Sequence, residues 1–232
     1  KASFAFALNY FTGSKAHNVA LRGRAQSMGL KLNEYALIRE ADASSIACDD
    51  ETAIYRALGL PFIPPELRED TGEIEAAKRG QLPRLITRDD LKGILHCHST
   101  WSDGANSIEE MAKAARAMGM TYLGLCDHSR SATYAGGMSI ERMREQHAEI
   151  DALNAKLGRS FRVLKGIEVD ILADGSLDYP DEVLASFDLV VASVHSRFNL
   201  QASEQTERMI RAVSNPYIDI LGHPTGRLLL KR

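Results

Sequence analysis

The chain has 232 residues, 44% of them apolar, and a formal net charge of -3. A chain of this length and composition can bury one large core or two smaller ones, so a disordered protein is not expected. The near-neutral total excludes a uniformly basic protein, yet residues 1–33 contain no Asp or Glu. This stretch predicts a local basic patch formed by Lys1, Lys15, Arg22, Arg24 and Lys31.

The cysteines and the absence of long apolar runs indicate the cellular compartment of the protein. Cys48, Cys97 and Cys126 show no CxxC spacing, which is typical of a reducing compartment and predicts a cytoplasmic protein. No apolar run approaches the roughly 20 residues that span a bilayer, so no membrane association is expected. The chain opens KASFAFALNYF without an initiator Met and closes on LLLKR, so both ends are expected to be cut from a longer protein.

A change in composition divides the chain near residue 85. Residues 61–72 hold three prolines among several charges, and Gly80 to Pro83 interrupts the chain again. We therefore predict one domain over residues 1–85 and a second over residues 86–232.

The first domain is predicted to mix strands and helices. Strands are expected over residues 3–10 and 32–38, a helix over residues 15–28 with Ser14 as N-cap, and a short helix over residues 50–58. Asp49 and Asp50 fall at the start of the short helix, where the helix dipole favours carboxylates. Helix capping therefore explains these two residues better than catalysis does. Lys15, Asn18 and Arg22 are three and four residues apart and share a helix face, which alone is typical of an ordinary solvated surface.

Strands and helices alternate in the second domain, which predicts parallel strands with helical crossovers. Ser107 to Glu110 form a capping box that opens a helix ending at Gly119, and another helix is expected from Ser139 to about Leu157. His147 falls on the apolar stripe of that second helix. We predict that it is a packing residue rather than a ligand.

Five apolar, strand-like runs in the second domain each end in a side chain that can bind metals. In a β/α barrel the carboxyl ends of all strands converge on one rim, so a shared site is predicted there. A single histidine is more often structural, but five of the seven histidines take this one topological position. With Asp103 in the loop after the first run, the candidate ligands are His96, His98, Asp103, His128, Glu168, His195 and His223.

Imidazole and carboxylate ligands together suit Mn²⁺, Zn²⁺ or Fe²⁺, with manganese the expected ion. The candidate ligands are too many for one ion, so two or three metals are predicted, as in sites that cleave phosphoesters. His96 and His98 are predicted to share one face of a strand while Cys97 points away from it. Cys97 and Cys126 are therefore expected to be core thiols.

The segments HCHSTWSDG, CDHS, GIEVDI, ASVHS and GHPTGR, in this order over residues 90–232, resemble the successive motifs of the PHP domain family. The resemblance implies a distorted seven-stranded β/α barrel with a three-metal site, in which the candidate ligands named above would bind the ions. Asp127, next to one ligand, is the candidate catalytic residue and would act by orienting an imidazole. The family's last motif, Asp-x-His, is absent, so an incomplete barrel is expected.

The first domain has a resemblance of its own. Its YFTGS segment and the helix that follows are similar to the nucleotide-facing motif of family X DNA polymerases, and residues 175–198 are most similar to the PHP domain fused to bacterial members. The predicted fold is thus α/β, an incomplete distorted (β/α)7 PHP barrel preceded by a small α+β thumb subdomain. The residues implied to contact DNA and a deoxynucleotide are Tyr10, Phe11, Gly13, Ser14, Lys15, Asn18 and Arg22.

The expected function is that of a DNA repair polymerase fragment whose PHP domain removes 3′ nucleotides, with processing of abasic sites kept open. The palm aspartates, which use Mg²⁺ for polymerisation, would lie before residue 1. Two alternatives remain: a phosphatase of small monoesters such as histidinol phosphate, and an inactive metal-bound scaffold. The acid-free basic stretch disfavours the first alternative, and the full set of candidate ligands disfavours the second.

Overall fold

The computed structural model describes residues 3–225, which form two compact units. The first unit ends at Leu85 and the second begins at Ile86. Lys1 of the basic patch and Gly226 and Arg227 of the last PHP-like motif lie outside the described residues. Within residues 3–225, no helix is both long and apolar enough to cross a membrane.

The first unit combines four helices with a small antiparallel sheet of order β1-β2-β3. Its core lies between the helices and this sheet, around Leu21, Leu37 and Ile54, none of which is exposed. The elements are α1 (Phe4–Phe11), α2 (Lys15–Ser27), β1 (Leu30–Leu32), β2 (Leu37–Arg39), β3 (Ser45–Ile46), α3 (Glu51–Ala57) and α4 (Glu73–Lys78).

Two strand predictions in this unit are wrong. Residues 4–11 form helix α1, because Ala5 and Asn9 are buried at a helical spacing and the Asn9 amide donates to the Tyr55 hydroxyl at 3.2 Å. The strand predicted over residues 32–38 is a hairpin instead. Its turn forms because Asn33 Oδ1 accepts hydrogen bonds from the backbone N–H groups of Tyr35 and Ala36, both at 2.9 Å.

The two predicted helices of the first unit are confirmed, as are their caps. Ser14 Oγ accepts from the backbone N–H of His17 at the start of α2, and Asp50 caps α3 through the N–H of Ala53. His17 itself is fully buried, with Nδ1 2.5 Å from Glu73 Oε1. This contact joins α2 to the first turn of α4.

The second unit is a curled half-barrel of five parallel strands in the order β4-β5-β6-β7-β8. Each strand is joined to the next by a helical crossover, as the alternation predicts. The elements are β4 (Gly93–Cys97), α5 (Ile108–Ala117), β5 (Tyr122–Leu125), α6 (Ile140–Leu157), β6 (Arg162–Asp170), α7 (Asp181–Leu184), β7 (Leu189–Ser193), α8 (Ala202–Val213) and β8 (Ile220–Leu221).

Helices α5 and α6 begin where their capping residues predict. Ser107 and Glu110 form the reciprocal capping box, and Ser139 Oγ accepts from the N–H of Arg142. His147 on α6 packs edge-on against Phe187 with ring centroids 4.8 Å apart, which confirms its packing role. Burial lowers the pKa of His147 to about 4, so the ring is neutral at pH 7.

Candidate metal centre

The structure brings together all seven side chains that the sequence predicts to share a rim. His96 and Glu168 lie near the carboxyl ends of β4 and β6, the other five side chains follow strands, and the carboxyl ends of these parallel strands lie on one side of the sheet. His128 stays beside β6 because residues 127–129 continue the pairing beyond β5: the N–H of Glu168 donates to Asp127 O and the N–H of Ser129 donates to Glu168 O. His17 lies in the first unit and His147 on α6.

Glu168 is the centre of this arrangement. It is 1% exposed, and its two carboxylate oxygens face imidazoles of five different histidines. Oε1 lies 2.8 Å, 3.1 Å and 3.3 Å from Nε2 of His223, His96 and His195. Oε2 lies 3.2 Å from His128 Nδ1 and 3.5 Å from His98 Nε2. One carboxylate can therefore serve more than one ion.

The donor atoms fall into three groups, each with its atoms within 4.8 Å of one another. Two of the groups share Glu168 and two share His128, so bridging is built into the arrangement. Asp103 belongs to only one group, and its side chain is 48% exposed. The groups are His96 with Glu168 and His223, His98 with Asp103 and His128, and His128 with Glu168 and His195.

Two buried imidazole nitrogens show that these residues fit metal ions. Nδ1 of His98 lies 3.2 Å from Asp103 Oδ1, and Nδ1 of His128 lies 3.2 Å from Glu168 Oε2. Neither nitrogen has a hydrogen-bond partner in spite of these distances. A buried polar atom without a partner costs about 1–3 kcal/mol. A cation between the imidazoles and carboxylates would remove that cost, and such mixed nitrogen and oxygen donors suit divalent transition metals.

The backbone is strained at two of the candidate ligands. His96 has a φ of 59° and His223 a φ of 24°, a region that histidine enters at an energetic cost. The prediction that His96 and His98 share a face while Cys97 packs in the core is confirmed, although the pairing of β4 with β5 shifts register between Ile94 and Cys97. The bulge still leaves both rings on the rim, with centroids 5.4 Å apart.

The cysteines beside the ligands take the predicted core positions. Cys97 packs against the apolar cluster around Ile108, and Cys126 is fully buried against Leu189 and Val191. Burial raises the pKa of the Cys126 thiol to about 12. Among the described residues, none of the three donor groups includes a cysteine, which agrees with the predicted core role.

Electrostatics within the site favour an ionised Glu168. Burial alone would raise its pKa, but hydrogen bonds from His195 and His96 outweigh burial and hold the pKa well below its usual range. Burial would lower the pKa of His195, yet hydrogen bonds to Asp170 and Glu168 raise it to about 9. Burial also lowers the pKa of His128. The rim thus combines a buried, ionised Glu168 with imidazoles in two different environments.

Asp127 does not orient an imidazole as expected. Its fully buried carboxylate accepts hydrogen bonds from the N–H and hydroxyl of Ser99, both at 2.7 Å, and from Ser102 Oγ and Gln146 Nε2, both at 2.6 Å. Ser99 and Ser102 lie in the loop between two candidate ligands, His98 and Asp103. Asp127 therefore holds that loop in place.

Asp127→Ala is expected to lower the free energy of unfolding of the second unit by roughly 3 kcal/mol. The substitution leaves four donor groups without their acceptor, three of them buried, and each buried loss costs about 1–3 kcal/mol before relaxation. Urea denaturation followed by circular dichroism measures the effect. The exposed Asp89→Ala variant is the control and should change stability by less than about 0.5 kcal/mol. A loss from Asp127→Ala as small as the control's would contradict this role.

Two residues at the site were not predicted from the sequence. Asp170 contacts His195. It lies two residues after Glu168 on β6, and residues two apart share a strand face, so this spacing could have predicted that Asp170 lies at the site. Tyr134 is 71% exposed, with its ring centroid 6.2 Å from that of His128 and 6.4 Å from that of His195. It sits in a single helical turn and has no sequence signal that we recognise.

In the first unit, several of the predicted DNA-contacting residues contact one another at the turn between α1 and α2. Asn18 Nδ2 donates to the backbone oxygens of Tyr10 and Ser14, both at 3.0 Å. The Arg22 guanidinium lies 5.2 Å from the centroid of the Tyr10 ring. Asn18 and Arg22 therefore fix the shape of the turn.

The remaining predicted contact residues differ in exposure. Phe11 is 76% exposed and Lys15 is exposed, so both side chains can reach a ligand. Gly13 is only half-buried, but a Cβ added there would lie 3.2 Å from the Cβ of the buried Arg68. Arg68 in turn donates from Nη1 to Thr12 Oγ1 at 2.7 Å, which ties the turn to the core.

Comparison with known families decides the kind of domain that carries this rim. Residues 95–229 match the family model described as PHP domain. The chain belongs to the PHP domain family. Residues 7–69, in the first unit, match the model described as DNA polymerase beta thumb. PHP domains are metal-dependent, which agrees with the three donor groups on the rim.

Among curated relatives, the DNA polymerase/3'-5' exonuclease PolX of Bacillus subtilis (strain 168) is 44% identical over 99% of this chain, which spans 40% of that protein. A probable phosphatase of Thermoanaerobacter sp. (strain X514) is 33% identical over 56% of the chain and 52% of its own length. A crystal structure of Leishmania infantum polymerase beta, a ternary P/T complex, is 29% identical, covers 30% of this chain and 33% of that one, and has a TM-score of 0.28. The chain thus spans about half or less of each curated relative.

Proposed function

We propose that this chain is part of a cytoplasmic bacterial DNA repair polymerase of family X, and that its PHP domain hydrolyses DNA phosphodiesters from the 3′ end. The observation that carries the proposal is the 44% identity over 99% of the chain to a polymerase/3'-5' exonuclease, since it spans both units. We propose the same chemistry for the processing of abasic sites. Residues 1–85 would be the thumb part and residues 86–232 the PHP part.

The proposed ligands are the seven side chains on the rim, and the proposed cofactors are two or three Mn²⁺ ions, with Zn²⁺ or Fe²⁺ as substitutes. Such ions activate water and neutralise phosphate oxygens. Glu168 holds one oxygen toward His96, His195 and His223, and the other toward His98 and His128. Asp103 and His223, whose side chains are 48% and 50% exposed, leave the rim open to an approaching phosphodiester.

For the first unit we propose contact with the nascent base pair and a bound deoxynucleotide. The match to the polymerase beta thumb over residues 7–69 supports this, together with the exposed Phe11 and Lys15 at the turn. Hydrogen-bond acceptors in the minor groove vary little with sequence, which suits a surface that must accept every correct pair. The polymerising Mg²⁺ would belong to palm residues outside this chain. The proposed contacts are Tyr10, Phe11, Gly13, Ser14, Lys15, Asn18 and Arg22.

A second candidate function is hydrolysis of small phosphate monoesters. The relatives named as probable phosphatases favour it, but their similarity covers only about the PHP part, 56% of the chain. A phosphatase of small molecules would not need the thumb domain that residues 7–69 match. The scaffold alternative has less support, because an inactive domain has no need for seven donor side chains gathered on one rim.

A substrate comparison tests the proposal directly. With Mn²⁺ present, the full polymerase that contains this chain should shorten a 5′-labelled single-stranded oligonucleotide from its 3′ end. Under the same conditions it should hydrolyse histidinol phosphate at least about 100-fold more slowly, because a site shaped for a phosphodiester gains little from a monoester. A gel time course and a phosphate release assay measure the two activities. Preference for the monoester would replace the exonuclease with the phosphatase.

A further inference from the structure

We infer that Asp170 is a positioning residue of the metal centre, which holds His195 so that its Nε2 faces the ions. The inference rests on the proposed metal-dependent function and adds a residue to it. Asp170 is 5% exposed, and its Oδ1 lies 2.5 Å from His195 Nδ1. On the other side of the same ring, His195 Nε2 lies 3.3 Å from Glu168 Oε1.

The two ring nitrogens of His195 therefore have different tasks. A neutral imidazole carries its proton on one nitrogen and a lone pair on the other. A carboxylate that accepts from Nδ1–H keeps the proton there and leaves the Nε2 lone pair for a cation. Nε2 belongs to the donor group that His195 forms with His128 and Glu168. Asp170 would thus select both the tautomer and the orientation of this ligand.

The strands place Asp170 beside the ring. Glu168 and Asp170 lie two apart on β6 and project from the same face. In the pairing of β6 with β7, Asp170 is opposite Ser193, two residues before His195. The segment after β7 therefore places the His195 ring next to the Asp170 carboxylate on β6.

Asp170 is itself held in place. Its backbone N–H donates to Ser129 Oγ at 3.0 Å, and Ser129 Oγ donates to Asp178 Oδ1 at 2.7 Å. The backbone oxygen of Asp170 accepts from the N–H of Asp178 at 3.2 Å. Asp178 is as buried as Asp170 but hydrogen-bonds to Ser129 and Ser131. Among the described carboxylates, Asp170 is the one aligned for a hydrogen bond with Nδ1 of His195.

The test is a double-mutant cycle in which Mn²⁺ affinity is measured by calorimetry on the full protein without nucleic acid. Asp170→Asn keeps the shape of the side chain but loses its charge, and it should weaken the affinity of one Mn²⁺ site about 10- to 100-fold. In the His195→Ala background, Asp170→Asn should have no further effect, because Asp170 acts through that ring. Equal effects in both backgrounds would overturn the inference in favour of a general structural role.

A spectroscopic measurement covers the case in which the variants fold poorly. The ¹⁵N shifts of the His195 ring in the wild-type protein loaded with Zn²⁺ should show the proton on Nδ1 alone, and a proton on Nε2 in the metal-loaded protein would overturn the inference without any substitution. A wild-type protein that binds no Mn²⁺ would overturn the proposed function as well. Unchanged Mn²⁺ affinity in a folded Asp170→Asn variant would overturn this inference alone.

Discussion

Replacing Glu168 with glutamine is expected to reduce Mn²⁺-dependent shortening of DNA by more than about 100-fold. Loss of a residue that only supports a ligand typically costs 10- to 100-fold, so loss of a shared ligand should cost more. Glutamine has nearly the same shape but no charge, and its amide N–H groups would face imidazoles that now lie around a carboxylate at 2.8–3.5 Å. Metal binding, more than packing, is the property that the substitution removes.

Two measurements separate this loss from misfolding. A time course of primer shortening gives the rate, and elemental analysis of the dialysed protein gives the number of bound metals, which should fall. Glu145→Gln on the exposed side of α6 is the matched control, and it should retain both rate and metal content. A folded Glu168→Gln variant with the wild-type rate would leave the rim without a catalytic role and favour the scaffold alternative.

His195→Ala is expected to be nearly as severe, with primer shortening reduced at least 10- to 100-fold and polymerisation by the full protein largely intact. The imidazole lies at the end of β7, and truncation removes a proposed ligand while leaving β7 and its buried neighbours in place. The two activities should respond differently because none of the described residues of the first unit contributes to the three donor groups. Parallel exonuclease and primer-extension assays measure the split.

The control for His195→Ala is His147→Ala, which removes an imidazole that packs on Phe187 away from the rim. This control should lose some stability and keep its exonuclease rate. Equal loss of exonuclease activity in both variants would mean that general destabilisation explains the effect. Equal loss of exonuclease and polymerase activity in His195→Ala would contradict separate sites for the two reactions.

The candidate site could be predicted from the sequence because its residues follow a simple topological rule. Apolar runs marked the strands, and the residues that can bind metals came at the ends of those runs, where a parallel sheet brings them together. His195 and His223, two residues beyond β7 and β8, illustrate the rule. The rule places His96 and His98 correctly on the rim but does not predict the local backbone of β4, where the register shift and the positive φ at His96 leave no mark in the sequence.

Other differences arise from long-range contacts. The residues FAFALNYF alternate like a strand, and only the burial of Asn9 against Tyr55 shows why a helix forms there. Asp127 looked like a partner of the neighbouring histidine, but its acceptor capacity is filled by Ser99, Ser102 and Gln146. Asp127 is next to His128 in the sequence, but successive residues of an extended chain point to opposite faces. The Asp127 carboxylate therefore points away from the rim.

The stacked rings of His96 and His223, 5.8 Å apart, come from the first and last strands of the half-barrel, while Glu168 comes from the middle one. An ion held by these three residues would cross-link strands that are about 130 residues apart along the chain, much as a disulfide closes a loop. Such a closure couples metal binding to the folding of these strands. Chelation would then remove a link between β4, β6 and the segment after β8, in addition to its effect on any chemical step.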